Sequence, residues 1–282
     1  MIRNIMSVDV EDYFHVANFT NQISPCDWDS YPLRVEQNTQ RILQIFAQYN
    51  IRATFFVLAW VAERCPQLVR DICQQGHELA CHGYAHQLIY EQGPQAFRED
   101  IKKAKCILED ISGEEVIGYR APSYSITNKS LWAIDILYEE GFRYDSSIFP
   151  THHDRYGIPQ AKRHRHMVKH GTHSLQEFPP STVPIGKWNF PIAGGGYFRL
   201  FPYVVTKKSI EFNNREQQPF VFYLHPWEID PQQPRIEGIS STKRFRHYVN
   251  LSTTEKKLRR LVQDFSFTYT KEYLGTSACE KT

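Results

Sequence analysis

The sequence contains no apolar run long enough to span a bilayer. It begins Met-Ile-Arg-Asn-Ile-Met and reaches an acidic cluster at Asp9 without the apolar core of a signal peptide. Six cysteines (Cys26, Cys65, Cys73, Cys81, Cys106, Cys279) form no Cys-x-x-Cys pair and show no regular spacing, so they read as reduced, mostly buried thiols. Neither sign of charge dominates. With 33 basic and 31 acidic side chains the net charge is +2, which gives no global pull toward nucleic acid or a membrane. Internal repeats and low-complexity linkers are also missing. These absences point to a cytoplasmic protein of one domain over residues 1–282, with oligomeric state left open.

What is present is a series of alternating strand and helix signals. Ile2 to Val10 reads as a strand running into acids, and Val35, Thr39, Ile42, Phe46 and Tyr49 mark a helix by their spacing. Ala53 to Leu58 is an apolar strand, Pro66 opens a helix that Gly76 closes, and Glu78 to Cys81 is a short strand. A long helix over Pro94 to Ile111 stops at Gly113; Val116 to Tyr119 is a strand, Asn128 to Glu140 a helix, and Phe142 to Tyr144 a strand. Repeated βα units imply a parallel sheet, open or closed. Arg155 to His173, rich in His, Lys and Arg, reads as an exposed insertion loop. Pro191 to Gly196 is a permissive turn, and Phe220 to Leu224 is a buried strand ending on His225. Ser252 and Glu255 form an expected capping box before Leu258, Leu261, Val262 and Phe265.

His82 and His86 lie four residues apart, about one helical turn, so both imidazoles can face one point and serve as metal ligands. In parallel α/β folds catalytic residues gather at the C-terminal strand ends. The strand ends here carry Asp9-Val-Glu-Asp12, the His82 and His86 pair, Arg120-Ala-Pro-Ser, Asp145-Ser-Ser and His225-Pro-Trp227. That set contains ligands, a base, an electrostatic clamp and an acid for metal-assisted hydrolysis. Singly, each has a plainer reading: a solvated acidic turn, a structural histidine, a helix cap or a surface arginine. A zinc peptidase is disfavoured because His77-Glu78-Leu-Ala-Cys-His82 is one residue longer than His-Glu-x-x-His.

Gly76 to His86, Arg120-Ala-Pro-Ser123, Asp145 and Leu224-His225 together resemble the motifs of the polysaccharide deacetylases, carbohydrate esterase family four, with the nodulation-protein-B homology domain. Ser7 to His15, Phe222 to Pro231 and Tyr248 to Glu255 resemble the subgroup found with exosortase and exopolysaccharide assembly systems. The resemblance covers nearly the whole chain. It implies a distorted parallel (β/α) barrel of seven strands in one catalytic domain, with 220–282 as a C-terminal extension packed on it. The implied activity is removal of N-linked acetyl groups from N-acetylhexosamine units of a bacterial polysaccharide or its lipid-linked precursor. It further implies one divalent metal, typically zinc, with cobalt, nickel and iron also compatible, held by one carboxylate, His82 and His86. Asp9 would be the base, Arg120 its orienting partner, His225 the acid, and Asp145 the group fixing the tautomer of His225. Tyr13, Pro122, Tyr124 and Trp227 would contact the sugar.

The sequence departs from the family pattern at Val10, where two adjacent aspartates are usual. The third ligand is then Glu11 or Asp12, and alternation along a strand favours Glu11, which shares a face with Asp9. Two other readings stand beside deacetylation: an amidase acting on ureides or other small amides, and a non-catalytic carbohydrate-binding relative. The expected partner is an N-acetylated glycan, with no nucleic acid and no membrane span. A peripheral place at a membrane glycan-assembly system is compatible with this.

Overall fold

The computed structural model describes residues 2–153 and 155–275. Its strands are β1 (Asn4–Val10), β2 (Thr54–Val57), β3 (Glu78–Cys81), β4 (Gly118–Tyr119), β5 (Tyr144–Asp145), β6 (His166–His170), β7 (His173–Glu177), β8 (Thr182–Ile185), β9 (Trp188–Pro191), β10 (Val221–Leu224) and β11 (Phe267–Thr268). The helices are α1 (Val35–Gln48), α2 (Ala59–Arg64), α3 (Pro66–Gln74), α4 (Ile89–Gln92), α5 (Pro94–Ser112), α6 (Ala133–Glu139), α7 (Gly195–Leu200), α8 (Tyr203–Arg215), α9 (Ser241–Tyr248) and α10 (Leu251–Asp264). Seven strands run parallel in the order β10-β1-β2-β3-β4-β5-β7; β6 adds an antiparallel edge and β11 a short parallel pairing on β1.

Strand alternation divides the core. Phe55 and Val57 face the helices with Val8 and Val10, while Phe56 points the other way into a second cluster with Ile5, Ala80, Ile117, Tyr144, Phe178 and Val221. Ser7 and Asp9 share the parity of Ile5, so Asp9 ends this inner face at the C-terminal edge of the sheet. The α1 stripe Val35, Thr39, Ile42 and Phe46 is buried as its spacing requires. Gly113 adopts φ 71° and its N–H bonds Glu109 O, a left-handed helix stop that suits glycine.

Several expectations are corrected. The ladder is open between β10 and the β7–β6 edge. Pro179 and Pro180 follow β7 and lack the N–H groups that a continuing ladder needs. Isolated contacts cross the gap, with Ser181 N–H donating to Val221 O at 3.3 Å and Gly194 bridging Tyr223. Residues 155–173 are not all loop: β6 and the start of β7 lie there as a hairpin whose outer strand has no buried residue. An unforeseen helix, α2, precedes α3. Residues from 220 onward are more than an addition packed outside, since β10 is itself a strand of the sheet and pairs with β1 along Ile5 to Val8. Helix α10 starts at Leu251 with no side-chain cap, because Asn250 takes the left-handed conformation instead. Cys65 and Cys81 are buried, but Cys26 and Cys106 are exposed and Cys73 is half-buried; Cys279 lies outside the described residues.

Candidate active site

Four strand ends, those of β1, β3, β4 and β10, meet at one mouth. The chain turns directly after Asp9, where Glu11 N–H donates to Asp9 O at 3.0 Å, and this swings Glu11 inward beside it. His82 and His86 do not lie on a helical turn as their spacing suggests. They sit on a loop after β3 that reverses through Gly83 and through His86 itself, a non-glycine residue at φ 50°. The loop brings the rings to 5.6 Å between centroids. One ligand atom each from Glu11, His82 and His86 lie within 4.8 Å of one another. Glu11 Oε2 is 2.8 Å from His86 Nε2 and is a buried atom with no hydrogen-bond partner. His82 Nδ1 is occupied by Arg120 O at 2.7 Å, which directs its other nitrogen to the cluster. Two imidazole nitrogens and one carboxylate suit a divalent ion such as zinc. Burial opposes charge on Glu11, yet His86 and then His225 outweigh it and hold the carboxyl well below the usual range. Burial pushes His82 down to about 4, the neutral form that a ligand must have.

Asp12, the alternative ligand, is engaged elsewhere. Its carboxylate accepts Arg34 N–H at 2.6 Å and Val35 N–H at 2.8 Å, capping the start of α1, and Tyr13 N–H at 2.9 Å.

Asp9 faces Arg120, with Nη1 at 2.6 Å from Oδ1. Both are almost fully buried, so the pair is tolerated only because the guanidinium is otherwise satisfied. It donates to Ser7 Oγ at 2.9 Å, Ser146 O at 3.1 Å and Ser146 Oγ at 2.8 Å, and lies over the Phe56 ring at 4.1 Å. Sequence reasoning missed both serines.

His225 completes the mouth from β10. Its Nε2 lies 3.4 Å from Glu11 Oε1 and 3.8 Å from Asp9 Oδ2. Its side chain is 19% exposed against 2–5% for Asp9, Glu11 and His86, so the proton-bearing group is the one open to an incoming molecule. Burial would lower its pKa, but Glu11, Glu228 and Asp9 raise it to about 9.

Asp145 does not hold His225. It lies on β5, five places from β10 along the sheet, and bonds Ser147. Burial raises the pKa of both Asp145 and its neighbour Glu177, and the Asp145 charge raises Glu177 further. The group at His225 Nδ1 is Glu228, at 3.1 Å, which also accepts the His225 N–H at 2.9 Å. A short 3-10 turn over Pro226–Ile229 folds this carboxylate back. Arg199 Nε anchors Glu228 at 2.9 Å and draws it down to about 2 against the effect of burial. The same guanidinium donates to the carbonyls of Arg246, His247 and Val249 at the end of α9. Gly195 is required here, because a Cβ would collide with the Glu228 carboxylate. The sequence shows only an acid three residues after His225, a spacing that does not by itself mark it as the partner of the ring.

The expected sugar-contacting aromatics are packed inside. Tyr13 is fully buried, Tyr124 packs edge-on to Tyr223 at 4.9 Å, Pro122 is buried, and Trp227 is stacked between His225 and His247. Trp227 therefore steadies the His225 ring and offers no open face to a sugar.

Residues 26–140 match the family model "Polysaccharide deacetylase", and residues 146–275 match one described as "Domain of unknown function (DUF3473)". A peptidoglycan deacetylase of Helicobacter pylori is 26% identical over 133 residues, 47% of this chain and 44% of the relative. A peptidoglycan-N-acetylglucosamine deacetylase of Bacillus cereus is 33% identical over 98 residues, 34% of this chain and 36% of the relative. The chain thus spans less than half the length of these curated relatives. A Mycobacterium smegmatis structure provisionally named a polysaccharide deacetylase superposes with TM-score 0.57 at 18% identity, covering 96% of this chain and 88% of that one, a likeness of fold.

Proposed function

We propose, from a chain that belongs over residues 26–140 to the polysaccharide deacetylase family, that it is a metal-dependent hydrolase removing N-acetyl groups from N-acetylhexosamine units of a glycan. The observation that carries this reading is the convergence of Glu11, His82 and His86 with the Asp9–Arg120 pair and His225 in one mouth. A bacterial polysaccharide or its lipid-linked precursor, in exopolysaccharide synthesis, is the substrate class proposed.

Glu11, His82 and His86 would hold one divalent ion, zinc by donor type, with cobalt, nickel or iron compatible. When bound, such an ion supplies a Lewis acid that polarises the acetamide oxygen and lowers the pKa of water. Asp9 accepts the proton of the attacking water, and Arg120 fixes which carboxylate oxygen is free to do so. His225, whose protonated form the Glu228 carboxylate favours, gives its Nε2 proton to the sugar amine as the carbon–nitrogen bond breaks. Glu228 holds the opposite ring nitrogen, fixing the orientation of that donor. The products are acetate and the free amino sugar.

The test is acetate release from an N-acetylglucosamine tetramer, with allantoin as a ureide counter-substrate. Acetate release with no ureide turnover supports the proposal, and the reverse pattern assigns the site to small amides.

A further inference from the structure

A cleft of roughly 630 Å3 opens directly beside His86. Phe14, His15, Trp28 and the segment Ala85 to Leu88 are among the residues that line it. Arg155 and Lys243 stand on it, one from the loop after β5 and the other from the first turn of α9. Arg155 is exposed and Lys243 half-buried, and among the described residues neither has an ion-pair partner. The one acid on the lining is the exposed Glu91. Elsewhere this chain pairs its arginines readily: Arg34, Arg64, Arg98, Arg163 and Arg259 all meet carboxylates. Two cations without an ion-pair partner among the described residues, on a cleft that begins at a proposed metal ligand, have the chemistry of an anion subsite.

We infer that this cleft receives an anionic substituent of the glycan, a uronate carboxylate or a phosphate, with Arg155 and Lys243 as its partners. The inference rests on the deacetylase reading and names a feature of its substrate. Both cations come from residues 146–275, the region whose family description assigns no function. They would make that region the part that selects the chain to be deacetylated.

Three tetramers separate the possibilities: neutral N-acetylglucosamine, alternating N-acetylglucosamine and glucuronate, and N-acetylglucosamine carrying a 1-phosphate. The expected result is a kcat/KM about tenfold higher for a charged tetramer than for the neutral one, shrinking as salt is raised. A gain for only one charged probe names the source of the anion. In the double variant Arg155→Ala with Lys243→Ala the charged-to-neutral ratio falls to about one. Equal kcat/KM for all three with the unaltered protein, or a preference that survives the double variant, overturns the inference. Calorimetric binding of the same tetramers reads the subsite without turnover. Charge-dependent binding lost in the double variant supports the subsite even if no acetate is released, a result that would sink only the deacetylase reading.

Discussion

Residues up to Arg120 and residues from 146 onward build opposite sides of the same mouth by different means. The first region supplies Asp9, Glu11, His82, His86 and Arg120 from the ends of β1, β3 and β4, whose parallel register sets them side by side. The second supplies His225, Glu228 and Arg199, held by a 3-10 turn, a glycine contact and a guanidinium clamped to helix-end carbonyls. Sheet register is shared by many backbone bonds, so the first set tolerates change at any one support. The second depends on a few side chains. The β1–β10 pairing, Ile5 to Val8 against Val221 to Leu224, joins the two. In the proposed function the first region would hold the metal and activate water, and the second would donate the proton and choose the substrate.

Substitutions can break that division. Asp9→Asn should lower turnover by about 10^3-fold while metal content stays at the unaltered level, measured by elemental analysis beside acetate release. Loss of metal in that variant would make Asp9 a ligand instead. Glu11→Ala should lose the metal and Asp12→Ala should keep it, with a lower melting temperature from the lost cap of α1. Across the mouth, Glu228→Gln should cost roughly 10- to 100-fold in kcat with KM and metal content little changed. Gly195→Ala should reproduce part of that loss by displacing Glu228. Asp145→Asn, by contrast, should leave kcat far closer to normal; an equal loss from Asp145→Asn would return the tautomer-fixing role to that residue.

A smaller effect concerns stability in the first region, away from the mouth. His77 is buried with Nδ1 accepting Ala53 N–H at 3.2 Å, and burial lowers its pKa from 6.5 to about 4. Above pH 6.5 the ring is neutral folded or unfolded. As pH falls toward 4 the unfolded chain binds the proton first, so stability drains across that window. The melting temperature should drop more between pH 7 and pH 5 for the unaltered protein than for His77→Gln, and equal drops would exclude His77 as a contributor.

The six residues Asp9, Glu11, His82, His86, Arg120 and His225 were legible because each follows an apolar run, and a parallel sheet brings such positions to one edge. Glu11 could be favoured over Asp12 by strand parity alone, although the chain actually turns right after Asp9. Glu228 was not legible as the partner of His225, since only the 3-10 turn after Pro226 returns it to the ring. The β6–β7 hairpin was hidden because β6 is a polar edge strand with no buried face to leave an alternating pattern. The distorted parallel barrel expected from the resemblance is met as a parallel sheet whose ladder stays open at Pro179 and Pro180.

The central claim is that Glu11, His82 and His86 hold a metal that the reaction needs. Its most direct test is acetate release from an N-acetylglucosamine tetramer by protein stripped with a chelator, then restored with one equivalent of zinc. The account predicts that release falls to background on stripping and returns with zinc, and that Glu11→Ala protein is not restored. Undiminished release from protein shown to be free of metal would contradict it.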